Sequence, residues 1–282
     1  MRFSSCAVAT SRKPATRHVA HVPLGKLKKL YRRWRSKRSP LPDSLWSSTL
    51  HASPYARSLP LADRDRLRDL VARFMQIKSF EGASGLAVSA AMRARIALHA
   101  CIPILNLGLG YYDDWASVVI YPGDFRVHDE YMDEHGIVHR EILDLCGRSL
   151  SQGPIVLSWE AMRKEDDIFA GRDLVIHECA HKLDVLNGTA NGFPPLHADM
   201  TVGEWSRDLD AAYRQLRGDL SAGKAGRIDS YATEDPAEFF AVLSETFFTM
   251  PRLVAEDFPA VYRQLARFYR QDPVQTLLVT PT

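Results

Sequence analysis

The chain has 282 residues, 46% hydrophobic and 25% charged, an ordinary globular composition that argues against a wholly disordered chain. Its four cysteines, Cys6, Cys101, Cys146 and Cys179, are widely spaced with no C-x-x-C pair, which argues against a disulfide framework or a cysteine zinc ribbon and suits a reducing cytosol. The net charge of +2 combines a basic head with an acidic body: residues 1–42 hold 12 of the 36 Lys and Arg and no acid, whereas residues 43–282 carry 24 basic and 34 acidic side chains, a net of −10.

Residues 1–20 are basic and acid-poor, and Cys6–Ala9 is too short for a secretory h-region, so a cytoplasmic protein with a disordered or partly helical extension is expected. Lys26–Arg38 reads KLKKLYRRWRSKR, with Leu27, Leu30, Tyr31 and Trp34 at helical spacing. A solvated basic segment is the expectation there, the alternative being an arm for nucleic acid or acidic lipid; no specific nucleic-acid partner is expected. Pro40 and Pro42 mark a linker.

Helical periodicity runs over Ala62–Phe80 through Leu67, Leu70, Val71, Phe74 and Ile77, and Ser89–Ile104 reads as a second, more buried helix. The most apolar stretch, Ile96–Tyr112, is interrupted by His99, Pro103 and Asn106, so no membrane span is expected. Val118–Tyr121, Gly136–Leu143 and Pro154–Trp159 read as strands. Helices are expected again at about 171–186, 203–221, 236–249 and 257–270. Helices, then a small sheet, then helices define an α+β architecture.

Within Leu174–Asp184, His177-Glu178-Cys179-Ala180-His181 forms an H-E-x-x-H pattern. Positions i and i+4 of a helix share one face, so the two imidazoles can hold one metal ion, and Glu178 is placed for the attacking water rather than for the metal. Buried unpaired histidines and an acid would be costly without a metal or dense hydrogen bonding. A catalytic zinc site usually takes a third protein ligand. Asp235-Pro236-Ala237-Glu238 opens an apolar helix that also carries Glu245 two turns on; by spacing alone Glu238 and Glu245 are equal candidates, and Glu238 also suits a capping box. Asp184 could orient a ligand imidazole or simply face solvent, and Glu245 could play the same orienting part or be a plain helix acid. His197, in the Gly- and Pro-rich loop after the zinc helix, reads as a surface or substrate-contact residue.

Four segments together resemble the Mlc titration factor A family of zinc peptidases: Val119–Phe125 (VIYPGDF), Gly153–Trp159 (GPIVLSW), His177–Asp184 (HECAHKLD) and Asp235–Glu245 (DPAEFFAVLSE). The similarity extends from about Ala62 to Pro273 and leaves out residues 1–40. That family in turn is similar to the catalytic domain of anthrax lethal factor, in which a Tyr precedes the ligand Glu by seven residues, the spacing of Tyr231 and Glu238 here. The resemblance implies a zincin-like metallopeptidase domain at 113–282, with a small β-sheet and an active-site HExxH helix, preceded by a helical region at 43–112 and the basic extension at 1–42. It implies one Zn2+ per chain held by His177, His181 and Glu238, with Glu178 as general base and Tyr231 near the reacting carbonyl. It implies aminopeptidase-like hydrolysis of peptides and, for some members, binding of a transcriptional repressor of sugar transport. The alternative is a metal-containing protein that sequesters a regulator with little peptidase activity. Cys179 is expected to be a buried packing residue.

Overall fold

A computed structural model describes residues 41–278, apart from 52, 124, 133–137, 146, 150–152, 168–170 and 225. The head, with the helical spacing at Lys26–Arg38, lies outside the described residues. Three helices open the described chain: α1 (Asp43–Leu50), α2 (Pro54–Ser58) and α3 (Leu61–Ile77). Strand β1 (Ser79–Gly82) and helix α4 (Ala90–Cys101) follow, the latter capped by the Ser89 hydroxyl, which accepts from the Met92 N–H. Next come β2 (Ser117–Tyr121), the hairpin strands β3 (Phe125–Met132) and β4 (Val138–Leu145), β5 (Gly147–Ser149), β6 (Ile155–Ser158) and helix α5 (Trp159–Asp167). The remainder is helical: α6 (Leu174–Asp184), α7 (Val202–Ser221), α8 (Pro236–Thr249), α9 (Pro251–Asp257), α10 (Pro259–Tyr269) and α11 (Pro273–Leu278).

The main sheet has the order β1-β2-β6-β5. Its first three strands run parallel, and β5 closes the far side antiparallel to β6. The register sets Val118 beside Ile155 and Ile120 beside Leu157. All four are buried, so one face of the sheet joins the core. Strands β3 and β4 pair only with each other among the described residues. The architecture is α+β, with the HExxH segment on the buried helix α6.

Two local readings of the sequence give way to specific contacts. Helical periodicity carries through Phe80, yet the chain leaves the helix at Lys78, which is extended at φ −97° and ψ 139°. The buried Lys78 ammonium donates to the carbonyls of Tyr112, at 2.5 Å, and Trp115, and lies 3.7 Å from the Trp115 ring centroid. That anchor turns residues 79–82 alongside β2, where Ser79 pairs with Ser117. At the other end, the helix expected at 257–270 begins at Pro259, and a separate α9 precedes it. Pro251 and Pro259 each occupy a first helical position, where the missing N–H costs nothing.

Strand β6 is an inner strand, flanked by β2 and β5, so it offers no free edge for a peptide. One cluster of buried apolar side chains runs from Leu41 to Tyr269. Phe239, Phe240, Phe247 and Phe248 of α8 all lie inside it, and each fully buried Phe contributes roughly 1.5–3 kcal/mol. This burial fixes α8, and with it the two acids it carries.

Candidate metal centre

Helix α6 starts at Asp173, whose side chain accepts from the Ile176 N–H at 3.0 Å. The helix is buried almost all round, because α4, α8 and the sheet side at β5 and β6 pack against it. Helix α8 starts at Asp235, whose Oδ1 accepts from the Ala237 and Glu238 N–H groups at 2.7 and 2.9 Å. With the cap made by Asp235, the Glu238 carboxylate turns toward α6.

Three ligand-type atoms converge there. His177 Nε2 lies 3.2 Å from His181 Nε2, His177 Nε2 lies 3.1 Å from Glu238 Oε2, and His181 Nε2 lies 3.3 Å from the same oxygen. Glu238 Oε2 is buried without a hydrogen-bond partner, so its two edges of the triangle are close approaches rather than in-line hydrogen bonds. An ion with bonds of roughly 2.0–2.2 Å and tetrahedral angles sets neighbouring ligands about 3.3–3.6 Å apart. The donor set and its spacing fit a metal ion, and the three residues form the group able to hold one among the described residues.

Glu245 meets the other side of His177. Its Oε2 lies 3.2 Å from His177 Nδ1, while its Oε1 accepts the Asp173 N–H at 2.6 Å. The two acids left equal by spacing are therefore separated by geometry: Glu238 faces both Nε2 atoms, and Glu245 holds the back of one ring. Burial alone would lower the His177 imidazole, but Glu238 and Glu245 outweigh it and hold its pKa well above the ordinary histidine value. Burial alone would raise Glu238, but the two imidazoles hold it far below the carboxylate range.

Glu178 is 3% exposed, and its Oε2 also has no hydrogen-bond partner. Burial pushes its carboxyl up. Tyr231 is 40% exposed on the short turn Ser230–Thr233, its ring centroid 6.0 Å from that of His177. Burial and the nearby Glu238 charge raise its pKa, so the hydroxyl stays protonated and able to donate. Arg172, just before α6, pairs with Asp229 at the start of the Tyr231 turn.

The remaining sequence candidates lie elsewhere. Asp184 neither orients an imidazole nor faces solvent: its carboxylate accepts the N–H groups of Asn191, Gly192 and Phe193 at 2.7–2.8 Å and pins the following loop. His197 is tied to the Phe268 carbonyl at 2.8 Å and stacks on that ring. Cys179 is fully buried, and burial pushes its thiol up to about 12. Burial lowers the Lys182 ammonium to about 8, and it donates to the Gly153 carbonyl at 2.9 Å. Residues the sequence reading passed over are His99 and Asp173. A helix-capping pattern could have found Asp173; a single histidine on an apolar helix carries no such signal.

Gly192 closes the pinned loop onto α8. It has φ +75°, and an added Cβ would lie 2.4 Å from the Pro236 carbonyl oxygen. Gly192→Ala is expected to cost about 1–3 kcal/mol through that strain and the clash, read as a lower urea midpoint with an unchanged slope.

A buried HExxH helix facing a glutamate from a later helix, within an α+β domain, defines a zincin-like metallopeptidase class. Comparison with known proteins gives the family. The chain belongs to the glucose-regulated metallo-peptidase M90 family, which matches residues 27–270; the match begins within the basic head, ahead of the start expected at about Ala62. It is 44% identical over 240 residues to Mlc titration factor A of Salmonella arizonae, covering 83% of this chain and 94% of the relative. The protein of the same name from Enterobacter sp. strain 638 is 41% identical over 248 residues, covering 86% and 92%. That of Escherichia fergusonii is 40% identical over 251 residues, covering 88% and 94%.

Proposed function

We propose that this chain is a zinc-dependent peptidase that removes residues from the amino end of peptides. The observation that most supports this reading is the triangle of His177 Nε2, His181 Nε2 and Glu238 Oε2 at 3.1–3.3 Å, with Glu178, whose Oε2 is buried and unpartnered, beside His177 in the sequence. Two imidazoles and a carboxylate suit zinc better than harder cations.

In this reading His177, His181 and Glu238 hold one zinc ion. Bound zinc supplies a Lewis acid for the scissile carbonyl and brings the pKa of water to roughly 7. Glu178 takes the proton of the attacking water on its carboxylate and passes it to the leaving amine. The Tyr231 hydroxyl donates to the oxygen on which negative charge develops. Glu245 fixes the ring of His177 through Nδ1. The free, buried Cys101 and Cys179 support the cytoplasm as the compartment. No helix among the described residues is long and apolar enough to cross a membrane.

The test is hydrolysis of a panel of aminoacyl and internally quenched peptides by zinc-loaded protein. Release from aminoacyl substrates alone is the expected result. Cleavage only of internal bonds would replace the aminoacyl reading with an endopeptidase one, and no cleavage of either would remove the peptidase reading.

The relatives' name, a titration factor for Mlc, favours a second activity beside this one. We propose that the chain also binds a transcriptional repressor of sugar transport. Co-elution of the purified repressor with the Glu178→Gln variant would separate binding from hydrolysis, and absence of co-elution with wild type would remove this reading.

A further inference from the structure

We infer that His99 is a positioning residue of the metal centre, acting on His177 through Asp173 and Glu245. It rests on the reading of the triangle as a metal site.

His99 lies in the last turn of α4, and its Nδ1 bonds Asp173 Oδ2. The other Asp173 oxygen caps α6, accepting from Ile176 N–H at 3.0 Å. The backbone N–H of the same Asp173 donates to Glu245 Oε1 at 2.6 Å, and Glu245 Oε2 lies 3.2 Å from His177 Nδ1. Three helices are thereby joined in one buried chain of contacts that ends on a candidate ligand ring.

The chain transmits position rather than protons, because it crosses Asp173 from side chain to backbone. Each link removes a rotation. His99 holds the Asp173 carboxylate in the rotamer that keeps Oδ1 on the cap. The cap sets the direction of the Asp173 N–H. That N–H holds one Glu245 oxygen, leaving the other for His177. The side chains of His99 and Asp173 are only 12% and 8% exposed, so bulk water has little access to replace a lost link. His99 Nε2 is itself buried without a hydrogen-bond partner. A histidine that served packing alone would be replaceable by an apolar residue, which would remove that unpaired nitrogen.

The measurement is zinc affinity by chelator competition, at a temperature where every variant is folded. His99→Leu is expected to weaken zinc binding by about 3–10-fold, less than the 10–100-fold usual for losing a residue that contacts a metal ligand directly. His99→Asn, whose amide can replace the Nδ1 contact, should recover most of that loss. Ile96→Val, a core change on the same helix, should leave affinity unchanged. A His99→Leu affinity within twofold of wild type overturns the inference, as does an equal loss in Ile96→Val or no recovery in His99→Asn. Failure of the wild-type chain to bind zinc would instead overturn the metal reading itself, which separates the two failures.

Discussion

Glu178→Gln is expected to lower peptide hydrolysis by about 10²–10⁴-fold while leaving bound metal in place, the usual contribution of a positioned acid–base group. The amide keeps the volume of the carboxylate and removes its ability to take a proton. Glu178 is not among the three atoms of the triangle, so the variant should bind zinc at the wild-type stoichiometry. Its buried Oε2 has no hydrogen-bond partner to lose, so folding stability should change little. The check pairs a rate assay on aminoacyl substrates with metal analysis of the same sample. Equal rates for the two proteins would remove Glu178 from the chemistry; lost metal in the variant would assign it a structural part instead.

Glu238→Gln should act on metal binding first. In the wild type, free zinc at 100 times its dissociation constant adds about 2.7 kcal/mol to the folded state. For a chain of this size that is a rise in Tm of roughly 5–11 °C. A variant whose affinity falls about a thousandfold would gain under 0.1 kcal/mol at the same zinc concentration. Thermal scans with zinc and with chelator therefore differ for wild type and coincide for Glu238→Gln. Glu245→Gln should fall between them, because its carboxylate touches only the back of one ligand ring. A zinc-dependent rise that survives in Glu238→Gln but disappears in Glu245→Gln would exchange the two acids' roles.

That exchange is the point at which spacing stops being informative. His177 and His181 are legible because an i,i+4 pair on one helix meets wherever the helix is placed. Glu238 and Glu245 also share a face of their own helix, and only the packing of α8 against α6 decides which one reaches the Nε2 atoms. Glu238 further carries a competing local reading as half of a capping box, and only the other half forms: Asp235 Oδ1 accepts the Glu238 N–H, while the Glu238 carboxylate turns to the two imidazoles rather than back to the Asp235 N–H.

The same division holds for the fold. Helices with strong caps or prolines, such as α4, α6 and α8, sit close to where their residues predict. Strand β1 was not legible: Ser79–Gly82 has no apolar alternation, and it is a strand because Lys78 is held by carbonyls beyond residue 110 and its backbone finds β2. His99 is a similar case, since its meaning depends on a residue 74 positions away.

The residues that converge at α6 are far apart along the chain, which decides when the site can exist. His177 and Glu245 lie 68 residues apart, with α7 and the Tyr231 turn between them. At roughly 5–20 residues per second, a ribosome needs about 3–14 s to add that stretch. For most of that stretch the nascent chain carries two histidines of the triangle without Glu238, and until its end the ring of His177 lacks Glu245 on Nδ1. A chain arrested before Pro236 has only part of a site. On the proposed ligand set, metal therefore binds only after α8 has been synthesised and has packed against α6.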